Sequence, residues 1–189
     1  MMLIENEYKC LLDKTMYESL VSLINWSNEI NQTNFYYLDE KKQILYDGNT
    51  LRIREIGDNK ILQFKKYIAN NGALHIREEH ELKVRYIPLK LDESLIRKVF
   101  KKEYCNINLI GKLETKRKVF HGENFTLCLD KNLYFENIDY EIEIEFDSNI
   151  SDELNKCIGL LFQNSIKENV SGKFFRFYTK YMELNYGNT

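Results

Sequence analysis

Residues 138–146 read Ile138-Asp139-Tyr140-Glu141-Ile142-Glu143-Ile144-Glu145-Phe146, and this alternation decides the fold class. A period of two is the period of a strand. Glu141, Glu143 and Glu145 therefore share one face, and Tyr140, Ile142, Ile144 and Phe146 the other. The two-faced pattern recurs along the chain. Residues 3–12 set Glu5, Glu7 and Lys9 against Ile4, Asn6, Tyr8 and Cys10. Residues 50–56 set Arg52 and Arg54 against Leu51 and Ile53; residues 60–67 set Gln63 and Lys65 against Leu62 and Phe64. Arg77, Glu79 and Glu81 share a parity within 73–84, as do Thr115 and Arg117 within 107–121. In 123–131, Thr126, Cys128 and Asp130 oppose Phe125, Leu127 and Leu129. Glycine-bearing turns at 47–49, 57–59 and 70–72 separate the central segments and predict hairpins.

With the aromatic run 34–39, these segments make eight predicted strands. Helical spacing is expected over 13–30, where Met16, Leu20, Leu23 and Ile24 form a stripe, Asp13 or Thr15 caps the start and Trp26 packs. Further helices are expected over 92–104 behind Asp92, over 151–168 behind Ser151 (Leu154, Ile158, Leu161 and Phe162 on one face), and over the tail 171–184. Strands do not alternate regularly with helices, which disfavours a parallel doubly wound sheet. The predicted fold is α+β: an eight-stranded antiparallel closed β-tunnel, with helices packed outside and a C-terminal helix, in one domain over 1–189.

Composition narrows the function classes. The chain has 189 residues, 43% hydrophobic and 30% charged, so it can build a core and is not a disordered chain. Lys+Arg 27 against Asp+Glu 29 gives a net charge of −2, which excludes the basic footprint of a protein that grips a nucleic acid duplex. No apolar run reaches the ~18 residues of a membrane span, and the first residues turn acidic too early for a secretory leader. Cys10, Cys105, Cys128 and Cys157 are scattered, as expected of reduced thiols in a cytoplasmic protein. His75, His80 and His121 lack ligand spacing and read as surface or packing residues.

The charged faces have two readings. They could be solvated, as on many half-buried sheets. Against this, like charges cluster: three carboxylates two apart at 141–145, two guanidiniums two apart at 52 and 54. If the helices cover the apolar faces, the charges line a lumen, where they are costly unless paired or bound. An anion carried with a divalent cation would satisfy both signs, since carboxylates take hard cations and Arg and Lys grip phosphate oxygens.

The ordered set resembles the CYTH superfamily, the triphosphate tunnel metalloenzymes, in its small bacterial, adenylate-cyclase-like branch. Glu5-Asn6-Glu7-Tyr8-Lys9 looks like the ExExK strand, Arg52-Ile53-Arg54 the RxR strand, and Leu62-Gln63-Phe64-Lys65 the LTLK-like strand. Arg77 to Glu81, Arg117, Asp130 and Glu141 to Glu145 follow in the family's order, and Lys173 with Arg176 resembles its K-x-x-R element. The resemblance implies a divalent-metal-dependent triphosphatase acting on inorganic triphosphate, thiamine triphosphate or a nucleoside triphosphate. It implies Mg²⁺ or Mn²⁺ at Glu5 and Glu7, with partners among Glu79, Asp130, Glu141, Glu143 and Glu145. The family uses an ExE pair, so the choice among the last three stays open. Lys9, Arg52, Arg54, Lys65, Arg77, Arg117, Lys173 and Arg176 would hold the phosphate chain, and catalysis would fall to Glu5, Glu7, Lys9 and Glu143. Alternatives are a class IV-type adenylate cyclase and a non-catalytic binder of polyphosphate or nucleotides. The implied partner is a small-molecule triphosphate, with no duplex and no membrane; monomer and homodimer both stay open.

Overall fold

A computed structural model describes residues 2–146, 151–162 and 170–187, with backbone alone at Met2, Leu3 and Phe162. Its elements run β1 (Met2–Leu12), α1 (Lys14–Leu23), β2 (Asn28–Leu38), α2 (Gln43–Tyr46), β3 (Thr50–Ile56), β4 (Asn59–Asn71), β5 (Leu74–Val84), α3 (Glu93–Phe100), β6 (Asn108–Gly122), β7 (Phe125–Tyr134), β8 (Asn137–Phe146), α4 (Asp152–Phe162) and α5 (Lys173–Tyr186). The strands form a closed barrel in the order β1-β5-β4-β3-β2-β6-β7-β8. Every neighbouring pair is antiparallel, and β8 closes on β1.

Register turns the alternation into an inside and an outside. Glu7 lies opposite Glu145 and Lys9 opposite Glu143; Arg52 lies opposite Gln63, and Arg117 opposite Asp130. The opposite parity is apolar and covered. Leu51, Ile53, Leu62 and Phe64 pack with Ile44 of α2 and Ile96 and Phe100 of α3. On the other flank, Leu127, Leu129, Ile142 and Ile144 pack with Leu154 of α4 and with Tyr17 and Leu20 of α1. Burying each such aliphatic side chain contributes about 1.5–3 kcal/mol. That drive fixes the helices outside and leaves the charged parity facing the lumen.

Several boundaries differ from the sequence expectation. The first helix stops at Leu23 rather than running to residue 30, and β2 starts at Asn28 rather than 34. Asn25, Ser27 and Asn28 are weak helix formers, and Trp26 lies past the helix, its indole Nε1–H donating to the Leu20 carbonyl at 3.2 Å. Asp13 is the cap, accepting from the Met16 amide at 2.7 Å. The helix expected over 92–104 ends at Phe100, because Lys101 turns left-handed (φ 55°) and sends Tyr104 back to donate toward Asp47 and accept from Asn49. The short α2 was not foreseen; Asp39 caps it by accepting from the Gln43 and Ile44 amides. Ser151 does cap α4, accepting from Leu154 at 3.1 Å, and the expected stretch 163–168 lies outside the described residues.

The C-terminal helix α5 closes one end of the barrel, so that Lys173 and Arg176 reach inward from it. Phe177 meets three inward positions: Tyr36, Tyr134 and Gly111. Gly111 has φ +147°, and a Cβ there would stand 2.9 Å from the Phe177 ring. Gly111→Ala should therefore cost about 1–3 kcal/mol through overpacking and backbone strain. Urea denaturation measures it, and an unchanged midpoint would show that α5 is free to retreat.

Candidate active site

The lumen separates its charges by strand. The wall of β3, β4 and β5 carries Arg52, Arg54, Lys65 and Arg77; the wall of β1, β7 and β8 carries Glu5, Glu7, Asp130, Glu141, Glu143 and Glu145. Lys9 on β1, Arg117 on β6 and Glu79 on β5 cross that division.

Most cations in this lumen are already paired. Arg117 donates twice to Asp130, at 2.8 and 2.7 Å, and also meets Glu143 and Glu145. Lys173, from the first turn of α5, lies 3.0 Å from Asp130, 3.2 Å from Glu141 and 2.8 Å from Glu143. Arg176 donates to Asp139 at 2.9 Å and to Glu141. Lys9 pairs with Glu7 and, at 3.7 Å, with Glu143; Lys65 pairs with Glu5 and, at 3.6 Å, with Glu79.

Three guanidiniums are left over. Among the described residues Arg52, Arg54 and Arg77 contact no carboxylate. Arg52 donates to Gln63 at 2.8 Å, and Gln63 donates onward to Glu81. Arg54 donates to Asn34 at 3.1 Å. Arg77 reaches the Ala69 and Ile76 carbonyls and the face of Tyr67. Burial, with Arg52 and Arg117 nearby, lowers Arg54 to about 10. That depression marks a place that favours an anion.

The acidic wall shows the complementary excess. Carboxylate oxygens of Glu5, Glu7 and Glu145 lie within 4.8 Å of one another. Burial raises Glu145; Arg117 offsets part of this, while Glu5 and Glu143 add to it. Three hard oxygen donors on adjacent strands fit Mg²⁺ or Mn²⁺. Glu141, Glu143 and Asp130 differ, because α5 and Arg117 cover them. Burial would push Glu143 up, yet Lys173, Arg117 and Lys9 hold it well below the usual carboxylate range. Asp130 is likewise held low by Arg117 and Lys173 against burial, whereas burial pushes Glu141 up to about 7.

A cavity of about 290 Å³ runs between the two walls and is lined by Glu7, Lys9, Arg52, Arg54, Lys65, Arg77, Arg117, Glu143 and Glu145. Leu45, Tyr67, Val170, Phe174 and Phe175 also line it. At the opposite end of the barrel, Glu5, Glu79, Glu145, His121 and Thr126 line a second recess of about 460 Å³. The lumen brings together the charged residues the sequence singled out, divided between these surroundings and the α5 anchor, except Glu81, which is exposed and accepts from Gln63.

Sequence reasoning missed the inner face of β2, where Gln32, Asn34 and Tyr36 are buried, because the strand was started at residue 34 and its aromatic run was not divided into two faces. The parity of 28–38 carries that signal once the strand start is placed. It also set His75 aside with His80 and His121, yet His75 is buried in the lumen beside Lys9 and Glu7. Burial first, then Lys9, lowers it to about 4. His80, by contrast, pairs with Glu78 on the other parity of β5.

The CYTH domain profile matches residues 3–169. A crystal structure of a candidate adenylate cyclase from Bacillus halodurans is 25% identical, covers 94% of this chain and 98% of its own, and superposes with a TM-score of 0.70. An adenylyl cyclase candidate from Hippeastrum, described as having a dominant triphosphatase activity, is 22% identical over 93% of this chain and 96% of its own, with a TM-score of 0.72. A Pyrococcus horikoshii protein is 16% identical over 93% and 98%, with a TM-score of 0.62. No curated protein sequence matches. A profile that spans all eight strands, on a barrel whose lumen separates the two signs of charge, establishes that the chain belongs to the CYTH domain family.

Proposed function

We propose that this protein is a divalent-metal-dependent triphosphatase that hydrolyses a small triphosphate inside the tunnel. The observation that carries the reading is the double excess in one lumen: three guanidiniums without a carboxylate, facing three carboxylates that crowd one another. CYTH tunnel proteins act on small triphosphates and generally depend on divalent metal, and the Hippeastrum neighbour's triphosphatase activity points the same way.

In this reading Glu5, Glu7 and Glu145 hold the cation. When bound, Mg²⁺ or Mn²⁺ supplies Lewis acidity toward phosphate oxygens. Arg52, Arg54 and Arg77 bind the phosphate chain and fix its line, aided by Lys9, Lys65 and Arg117, whose carboxylate partners lie in the same lumen. Their positive charge sits ready where negative charge develops on the leaving phosphate. The carboxylate trio stands where attacking water can be oriented and its proton accepted, while Glu143, held by Lys173, Arg117 and Lys9, serves as the counter-charge that orients those cations. Asp130, Glu141, Lys173 and Arg176 form the anchor of α5, and Glu79 balances Lys65.

A product-resolved panel tests this. With Mg²⁺ or Mn²⁺, purified protein should release phosphate from at least one of inorganic triphosphate, thiamine triphosphate and ATP, and EDTA should stop it. Cyclic AMP with pyrophosphate as the dominant products from ATP would reassign the protein as a cyclase. No turnover of any of the three, with binding retained, would make it a non-catalytic polyphosphate binder.

A further inference from the structure

We propose that Tyr36 and His75 are ligand-binding residues of this site, each donating one uncharged hydrogen bond to an oxygen of the polyanion held by Arg52, Arg54 and Arg77. The inference rests on the triphosphate reading and extends it to two residues outside the charged set. Both side chains line the same cavity as the guanidiniums.

Tyr36 is fully buried (0% exposed), and its Oη has no hydrogen-bond partner among the described residues. Its ring packs on Phe174 and Phe177, which offer no acceptor. His75 is 2% exposed, and its Nδ1 lies 3.2 Å from Arg77 Nη2. A guanidinium can only donate, so Nδ1 must accept. The ring proton of the neutral imidazole is then on Nε2, and Nε2 has no partner among the described residues.

Buried donors left unpaired are rare in native proteins and call for an explanation. Here they share one chemistry. Arg52 Nη2, Gln32 Nε2 and Asn34 Nδ2 are likewise buried and unpartnered among the described residues. With Tyr36 and His75 they place donors on β2, β3 and β5. The complementary occupant supplies oxygen acceptors and no donors, as a phosphate chain does. Neutral donors add hydrogen bonds to such an anion without adding to the repulsion among neighbouring guanidiniums.

Tyr36→Phe removes the hydroxyl and keeps the ring. His75→Leu removes the N–H donor, and His75→Gln restores an amide N–H near the place of Nε2. Inorganic triphosphate, titrated calorimetrically in EDTA so that no turnover intrudes, should bind about tenfold more weakly to Tyr36→Phe and to His75→Leu, with most of the loss recovered in His75→Gln. Ligand-free Tyr36→Phe should melt at or above the wild-type temperature, because the lost hydroxyl bonded to nothing. Unchanged affinity in Tyr36→Phe and His75→Leu would overturn the proposal. So would a lower melting temperature of Tyr36→Phe with affinity intact, which would show a structural hydroxyl. Wild-type binding that Arg52→Ala abolishes keeps the triphosphate reading standing in either case; no binding by wild type would remove both.

Discussion

Glu7→Gln and Glu5→Gln are each expected to lose triphosphate turnover by at least about a hundredfold while keeping the fold. Losing a group that merely supports a metal ligand costs about 10–100-fold, and losing the ligand itself costs more. The fold survives because the barrel and its two apolar flanks do not depend on either carboxylate. Relief of repulsion within the trio, whose oxygens lie within 4.8 Å of one another, is offset by the loss of the Lys9–Glu7 or Lys65–Glu5 pair, so each variant should melt somewhat below the wild-type temperature without metal. With metal the gap widens. A cation that binds only the folded state raises stability as RT ln(1 + [M]/Kd), so Mg²⁺ or Mn²⁺ should raise the wild-type melting temperature but not that of either variant. A thermal scan against metal concentration, beside phosphate release, measures both effects. Turnover retained in Glu7→Gln, or an unchanged metal-dependent shift, would remove Glu7 from the metal site.

The barrel and its sign-separated lumen could be read from β8 outward because period-two alternation carries two facts at once: the strand, and which residues share a face. Glu141, Glu143 and Glu145 could not be ranked that way, since they share that parity. They are told apart only by what the fold brings to them: Glu5 and Glu7 of the neighbouring strand β1 beside Glu145, and Lys173 of α5 beside Glu141 and Glu143. The start of β2 was hidden for a local reason. Asn28-Glu29-Ile30-Asn31-Gln32-Thr33-Asn34 has little strand propensity of its own and is held by its neighbours, as where Glu29 meets Lys118 of β6. His75 was legible as a lumen residue by parity, since it shares the odd positions of Arg77 and Glu79 on its strand, and was set aside only because a lone imidazole lacks metal-ligand spacing. The place of α5 was half legible: Lys173 and Arg176 could reach the tunnel mouth or lie on a solvated helix end, and the carboxylates beneath them decide for the mouth and make the helix a plug.

That plug makes Lys173→Met the most destabilising single change expected. The ammonium lies within 3.2 Å of Asp130, Glu141 and Glu143, all buried, and is itself 8% exposed. Methionine keeps the length but leaves those carboxylates short of one positive charge. Breaking a buried pair in this way costs about 3–5 kcal/mol. The sign of the pH dependence follows from the carboxylates. In the wild type, Asp130 and Glu143 are held below their unfolded values, so their stabilisation is present above those values and lost as acid protonates them in the folded protein. Glu141, pushed up to about 7 by burial, does the reverse: its contribution is complete below its unfolded value near 4.5 and is lost as pH rises toward 7. Removing Lys173 pushes all three upward, so the variant binds extra protons when folded and recovers stability as pH falls. The gap between wild type and Lys173→Met should accordingly be widest near pH 8 and narrow toward pH 5 in urea denaturation. Adding Glu141→Gln to Lys173→Met should restore part of the loss at pH 8, because one uncompensated charge disappears. A gap that stays constant across that range, or no recovery in the double variant, would show that Lys173 acts through packing of α5 and not through its charge.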